Sequence, residues 1–351
     1  MTTPARYSPP SLPACGGPRP RLPLLRMRPP RRALLLCCLV LCFLALAPLA
    51  CWAAPAAREL LASGRADDAL RLLHGSSGGP SAETDHYLCR VYYGLQDWDN
   101  ALRYCERAVK LEPRNAIFQL WMGRSYGEKA NVSNPVWAYP LARKTVAAFA
   151  LAHQLDRSNM DIARDLAEYY TTAPAVVGGG NDKALTLAAE ITPAHPSDAA
   201  WVRAMAAASA GHHDEAEREF AEAIRLDHDS AGAYLDLAHY LRDRKSWDRF
   251  QQTVERAMQS PRIQPADRYN AAEMLLRTNR NLQGAARLMG AYIHGEHTQE
   301  QAPVFRAHYL LGEILLKLGD SAQAAAEYRA ALSLANGYRP AMDALRRLGE
   351  R

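Results

Sequence analysis

The amino-acid sequence predicts an all-α fold, a right-handed α-solenoid of stacked helix-turn-helix repeats with a C-terminal capping helix. Apolar and small residues recur at helical spacing on both sides of one polar turn in residues 87–115. The same pattern returns along most of the chain. We find no stretch in which β-branched and aromatic residues alternate with polar ones, as they do in a strand.

A helical hairpin in residues 87–115 is the clearest unit. Its apolar side chains recur at intervals of three and four, and Asp97 lies in the turn, where it can cap the second helix. Asn115 follows the hairpin and can cap the next helix. Ala101 and Ala108 are small enough to let the two helices approach closely. One apolar side of the hairpin stays open, and we expect further copies to cover it.

This unit resembles the tetratricopeptide repeat (TPR), a helix-turn-helix unit of about 34 residues. Two cysteines depart from the family pattern. Cys89 takes the eighth place, which is usually Gly or Ala, and Cys105 takes the twenty-fourth, which is usually aromatic. The resemblance covers nearly all of the chain after residue 56. It rests on Leu88, Tyr92, Asp97, Trp98, Asp99, Ala101, Ala108 and Pro113.

Eight repeats and a final helix are expected. The repeats at 116–159 and 160–197 carry additional residues, 127–140 and 172–182, which we expect to form loops side by side along one edge. The polar outer side of the final helix is typical of the open end of a solenoid. The predicted repeats are at about 57–81, 82–115, 116–159, 160–197, 198–230, 231–264, 265–303 and 304–338, with the cap at 339–351.

Three consecutive glycines, Gly178 to Gly180, precede Asn181 and Asp182. Backbone amides beside a helix start can bind an anion, but the strand and the lysine-serine ending of a phosphate loop are missing. We therefore expect a tight turn in which Asp182 caps the following helix. The pattern A-P-x-x-x-G-G-G-x-D-K-A in 173–184, with residues 123–130, is more narrowly similar to exported bacterial TPR-containing proteins.

Residues 1–56 are predicted to be a signal peptide. Arg31 and Arg32 precede fifteen residues without a charge, and an alanine-rich stretch follows. Translation from Met27 would give this leader a basic region of ordinary length. The alternative is an uncleaved membrane anchor, because residues 33–52 are just long enough to span a bilayer.

Cleavage would place the mature chain in the periplasm or outside the cell. We expect it to begin between Cys51 and Ala57. An uncleaved leader would instead anchor the chain in the inner membrane, facing the periplasm.

The formal net charge of +5 comes from the leader. Residues 1–56 hold seven arginines and no acidic residue, so subtracting seven from +5 leaves −2 for residues 57–351. A nucleic-acid partner therefore has no electrostatic support from the repeats.

No catalytic, cofactor or metal site is predicted. No nucleophile stands in a motif such as G-x-S-x-G or H-E-x-x-H. The eleven histidines lack the spacing of metal ligands, and no second pair joins His212 and His213 on one helix face. The chain is therefore not expected to be an enzyme. The remote alternative is an enzyme site built from the two additional segments, beside Lys129, Asp182 and Lys183.

Cys89 and Cys105 form a candidate disulfide. Both lie in one hairpin and face the seam between its helices, and helices that approach to about 8 Å can bring two Cα atoms within the roughly 4.4–6.8 Å that a disulfide needs. Export favours the bond, because the periplasm is oxidising. The alternative is a pair of buried free thiols that pack as small apolar groups.

The concave surface formed by the first helices of the repeats is the predicted binding groove. The alternative interpretation is that these side chains form an ordinary solvated helix face and bind nothing. Arg90 and Arg124 have equal places in two neighbouring repeats, so we expect a basic patch that attracts an acidic partner. The predicted groove residues are His86, Arg90, Tyr93, Arg124, Arg164, Glu168, His239, Arg242, Asn270 and Arg277.

The sequence therefore predicts an exported TPR scaffold that binds proteins or peptides through its groove and performs no chemistry. One alternative is a structural subunit of an envelope-associated assembly, in which an edge or the convex face packs permanently into a complex. Another is a membrane-anchored TPR adaptor. No nucleic-acid partner is expected, and membrane contact is expected only through an uncleaved leader.

Overall fold

The computed structural model describes residues 50–75, 81–295 and 300–349, with side chains from residue 56 onward. These residues form helices joined by short turns, and no strand occurs among them. The predicted all-α solenoid of stacked helix-turn-helix units is therefore confirmed. The charged and apolar parts of the predicted signal peptide lie outside the described residues.

Consecutive helices pair into hairpins, and each hairpin packs its apolar side on the next. The described residues form eight such hairpins and one final helix. They are α1 (Ala50–Ala62) with α2 (Ala66–Gly75), α3 (Ala82–Gly94) with α4 (Trp98–Leu111), α5 (Ala116–Asn131) with α6 (Pro135–Leu155), α7 (Met160–Thr172) with α8 (Asn181–Ile191), α9 (Pro196–Ser209) with α10 (His213–Leu226), α11 (Ala231–Asp243) with α12 (Trp247–Gln259), α13 (Pro265–Arg277) with α14 (Leu282–Ile293), α15 (Val304–Lys317) with α16 (Ser321–Leu334), and the final α17 (Arg339–Arg347).

The predicted caps around the second hairpin are confirmed. The carboxylate of Asp97 accepts a hydrogen bond from the amide of Asn100 at the start of α4, at 3.2 Å. The side chain of Asn115 accepts bonds from the amides of Ile117 and Phe118 at the start of α5. Both side chains satisfy amides that have no partner within their own helix.

The residues added to the third hairpin do not form a loop, so that prediction was wrong. Residues 127–140 lengthen both helices instead, and only a short turn separates Asn131 from Pro135. Pro135 suits the first position of α6, where an N–H would have no helical acceptor. Helix α6 therefore has 21 residues against 14 in α4, which makes it about two turns longer.

Residues 172–182 form a compact turn, as predicted, but Asp182 does not cap α8. The N-cap position belongs to Gly180, and Asp182 lies in the first turn, where its charge complements the helix dipole. Gly179 is required by a close approach of the backbone, since a Cβ there would lie 1.8 Å from the carbonyl oxygen of Ala173.

Within the hairpins, a small residue on the first helix faces a larger residue on the second. In the eighth hairpin, a Cβ on Gly312 would lie 2.5 Å from the ring of Tyr328. Cys89 and Cys105 occupy the equivalent places in the second hairpin, where the structure holds them as a disulfide with Cα atoms 5.1 Å apart. Both sulfurs lie close to the buried hydroxyl of Ser125, at 3.7 and 3.6 Å.

The first and last hairpins contact each other, so the C-terminal end is not the open end that the sequence predicts. The amide of Asn336 donates a hydrogen bond to Asp67 at 2.9 Å. A Cβ on Gly64 would lie 2.6 Å from the amide nitrogen of Val304. Phe305 is buried in one apolar cluster with residues from α1, α2, α16 and α17.

No helix among the described residues is long and apolar enough to span a membrane. Helix α1 begins at Ala50 and so includes the predicted cleavage region. Cleavage at the end of that region would leave Ala57–Ala62 of the helix, which contains the buried Ala57 and Leu61.

Candidate partner-binding groove

Cavities of about 600, 290 and 200 Å³ open on the side of the solenoid that the first helices form. The largest lies between α5, α6 and α7, beside residues 172–177. The second runs across α7, α9, α11 and α13, and the third lies between α11 and α13. The second and third share His239 and Asn270, so these two cavities adjoin. We call the surface that contains the three cavities the groove.

Eight of the ten predicted groove residues line these cavities. Arg90 lies instead at the contact between the two ends of the solenoid, and His86 lines none of the three. The eight are Tyr93, Arg124 and Glu168 in the largest cavity, Arg164 in the second, His239 and Asn270 in the second and third, and Arg242 and Arg277 in the third.

His86 lies beneath the groove surface rather than on it. Its side chain is only 4% exposed, and its ring packs 4.6 Å from the ring of Phe118, measured between centroids. Burial, together with the charge of Arg90, lowers the pKa of His86 to about 3. His86 is therefore neutral and supports the wall of the groove, and it is not available as a contact.

Arg90 and Arg124 do not form the expected basic patch, because each is neutralised by a carboxylate from elsewhere in the chain. Arg90 pairs with Glu300, and Arg124 pairs with Asp165 at 2.5 Å. Both guanidinium groups also lie 5.1 Å from the ring of Trp121. The structure thus removes the reason to expect an acidic partner at these two arginines.

Arg164 is bound by two carboxylates and packs on an aromatic ring. Its two terminal nitrogens donate to Asp198 at 2.8 Å and to Asp236 at 2.7 Å, and its guanidinium lies 4.0 Å from the ring centre of Trp201. Burial opposes its charge, but Asp236 and Asp198 outweigh that effect and raise the pKa of Arg164 above its ordinary value. Arg164 therefore fixes α7 to α9 and α11.

Apart from Glu168, which the sequence predicted, the carboxylates that line the groove were missed by sequence reasoning. In the two largest cavities the lining arginines are Arg124 and Arg164, and seven lining residues are acidic. Because seven acidic residues outnumber two arginines, this surface is acidic, contrary to the basic patch that the sequence suggested. The acidic residues are Glu128, Asp165, Glu168, Asp198, Asp227, Asp236 and Asp267.

A signal for four of these carboxylates is present in the sequence. Asp165 and Asp236 are the sixth residues of α7 and α11, and Asp198 and Asp267 are the third residues of α9 and α13. A comparison of equal places in the first helices would have selected these four.

The glycine turn beside the largest cavity does not present a ready anion site. The amides of Gly178, Gly179 and Gly180 already donate to backbone carbonyls at 3.0, 3.2 and 2.8 Å. The ammonium of Lys183 donates to the carbonyl of Gly178 at 2.8 Å. These bonds occupy the donors that an anion would need.

The described ranges 50–75, 81–295 and 300–349 contain no group of three or more His, Cys, Asp or Glu side chains placed to hold a metal ion. The remote enzyme hypothesis named Lys129, Asp182 and Lys183. Lys129 pairs with Asp99 at 2.7 Å, and Lys183 is bonded to the glycine turn. Neither lysine is bonded to Asp182 within the part of the chain that the structure describes, so the three residues do not form one site.

Two segments of the chain match family models. Residues 86–115 match a model described as tetratricopeptide repeat, and residues 305–338 match a second model with the same description. The first match is the hairpin that the sequence analysis singled out, and the second is the eighth hairpin. No curated protein matches the chain.

Solved structures of several other proteins are similar at low identity. Yeast Tom70 is 16% identical with a TM-score of 0.47, and the match covers 81% of this chain and 59% of that one, less than two thirds of its length. A tetratricopeptide repeat protein from Parabacteroides merdae is 17% identical with a TM-score of 0.36, over 75% of this chain and 100% of that one. Human IFIT1, solved as a dimer with PPP-AAAA, is 14% identical with a TM-score of 0.38, over 77% and 51%. The chain thus carries tetratricopeptide-repeat sequence in its second and eighth hairpins, within an all-α solenoid.

Proposed function

We propose that this chain is an exported scaffold that holds a partner protein or peptide in the groove and performs no chemistry. The observation that carries the proposal is the presence of three open cavities on the side formed by the first helices. Repeat solenoids bind their partners on extended concave surfaces. The two tetratricopeptide-repeat segments support a protein as the partner. The narrower likeness to exported bacterial TPR proteins stays a prediction.

Capture of partners from an envelope fraction tests this proposal. We expect His239→Ala combined with Asn270→Ala to reduce the captured partner at least about tenfold, as for residues that dominate an interface. Both side chains are exposed and line two cavities, so their loss removes contacts without removing core. The matched control is Leu151→Ser with Leu185→Ser, on the second helices α6 and α8.

The control also tests the alternative of a structural subunit. Leu151 and Leu185 are exposed apolar residues of second helices, which an assembly that packs on the convex face would bury. Loss of capture in the leucine variant, with full capture in the His239 and Asn270 variant, would reject the groove and favour the structural subunit.

Export is part of the proposal and has its own test. N-terminal sequencing of the protein from its host is expected to find a first residue between Cys51 and Ala57. The basic and apolar leader supports this expectation. Recovery of Arg31 and Arg32 on the protein would instead favour the membrane-anchored adaptor.

A further inference from the structure

The largest cavity differs from the rest of the groove because both additional segments of the sequence build it. Helices α5 and α6, lengthened by residues 127–140, form two of its sides, and residues 172–177 form part of a third. Its volume is about 600 Å³. Ala138, Ala142, Phe149 and Val177 contribute apolar wall. The two segments that depart from the repeat pattern thus meet at one place.

Charge at the bottom of this cavity is negative and incompletely paired. Asp165 is bound by Arg124, but neither Glu128 nor Glu168 has a cation within 4 Å anywhere in the described ranges. Glu168 is open to solvent, yet the enclosing walls and the neighbouring carboxylates Asp165, Asp236 and Glu128 together raise its pKa, against the effect of Arg164. Repulsion among these groups would be relieved by a cation.

Two exposed apolar side chains are the chain neighbours of residues that line the cavity. Trp137 is 67% exposed and precedes the lining residue Ala138, and Val176 is 65% exposed and precedes the lining residue Val177. Exposed apolar groups next to a concave site are typical of surfaces that bind another protein. The cavity therefore combines apolar walls with two carboxylates that have no cation within 4 Å among the described residues, and exposed apolar residues adjoin its lining in the chain.

We propose that this cavity receives a lysine or arginine side chain from an extended segment of the partner protein. The aliphatic stem of that side chain lies along Ala142 and Phe149, and its charged end pairs with Glu128 and Glu168. An apolar residue that flanks the basic one in the partner packs on Trp137. The inference rests on the proposed function, and it commits the groove to a basic partner segment through complementary charge.

Fluorescence anisotropy with short labelled peptides tests the inference. The probe is a peptide of alternating arginine and leucine, compared with peptides in which glutamate or glutamine replaces arginine. We expect only the arginine peptide to bind. Glu128→Gln combined with Glu168→Gln is expected to lower the affinity for this peptide at least about tenfold at low salt, and by less at high salt. Ala142→Phe, which fills the cavity without changing charge, is expected to cause a similar loss. Thermal unfolding of each variant checks that it is folded.

The matched control for charge is Glu83→Gln with Glu255→Gln, two exposed residues outside the groove cavities, and it is expected to leave the affinity unchanged. Equal binding of the glutamate peptide, or unchanged affinity in the Glu128 and Glu168 variant, overturns the inference.

The remaining outcomes separate the inference from the proposed function. If Asp198→Asn with Asp236→Asn removes peptide binding and the cavity variants do not, the groove binds its partner elsewhere, and only the inference fails. The inference also fails alone if no peptide binds while partner capture still depends on His239 and Asn270. If no peptide binds, and partner capture is unchanged both in the His239 and Asn270 variant and in the Glu128 and Glu168 variant, both proposals fail.

Discussion

Replacement of Phe305 by alanine is expected to lower the free energy of unfolding by roughly 3–5 kcal/mol, the range for a buried aromatic side chain. Phe305 is 3% exposed, and its ring lies 5.1 Å from that of Tyr338, measured between centroids. It belongs to an apolar cluster that contains Ala57 and Leu61 near one end of the solenoid and Ala344 near the other. Its loss therefore opens a cavity at the contact between the two ends.

Urea unfolding of the variant measures this effect. The control is Leu318→Ala, which removes a side chain that is 38% exposed at the end of the same helix and is expected to change stability by less than about 0.5 kcal/mol. Amide hydrogen exchange should rise most in residues 57–75 and 305–347, because repeat proteins can open locally. Equal losses in the two variants, or a rise in exchange centred on α9 to α12, would contradict the role of Phe305 in joining the ends.

Removal of the disulfide between Cys89 and Cys105 is expected to cost roughly 3 kcal/mol in the chain-entropy model. The bond closes a short loop, since the two residues are 16 apart in sequence, and it ties α3 to α4 in the second hairpin. Mass spectrometry of unreduced, alkylated protein from an oxidising compartment first establishes the bond. Urea unfolding of Cys89→Ala with Cys105→Ala, compared with the oxidised parent, then gives its contribution. Two alkylated cysteines in the parent would contradict the bond.

The control replaces the disulfide by the pair that the eighth hairpin uses. Gly312 faces Tyr328 there with no room for a Cβ between them, so Cys89→Gly with Cys105→Tyr should fill the seam that the alanine pair leaves underpacked. We expect this variant to be more stable than the alanine pair and to be insensitive to reductant. Equal stability of the two variants would show that packing at this seam contributes little.

The charge of the groove shows where sequence reasoning fails. Arg90 and Arg124 occupy equal places in neighbouring repeats, which made a basic patch the natural prediction. Their partners come from elsewhere: Glu300 lies 210 residues from Arg90, and Asp165 lies 41 residues from Arg124. Ion pairs across such separations depend on how one hairpin packs on another. The residue pattern within one repeat does not show that packing.

The additional segment at 127–140 shows a second kind of failure. It contains Pro135 and Pro140, and prolines usually end helices because they lack an N–H and crowd the preceding turn. Pro135 instead takes the first position of α6, and Pro140 lies six residues into the helix. The first position explains why Pro135 is tolerated, but Pro140 lies inside the helix, and the residue types alone did not reveal that the helix continues through it.

The sequence by itself determined the regular hairpins, the caps of the second hairpin and the repeat, because these depend on side chains only a few residues apart. Asp97 and Asn115 cap the helices that follow them, and Cys89 faces Cys105 because a single hairpin fixes their register. Only the tertiary structure decided that the two ends of the solenoid meet and that Arg90 and Arg124 pair with carboxylates outside their own hairpins. Both depend on the small rotation between successive hairpins, which accumulates along the stack and brings together residues that no local pattern relates.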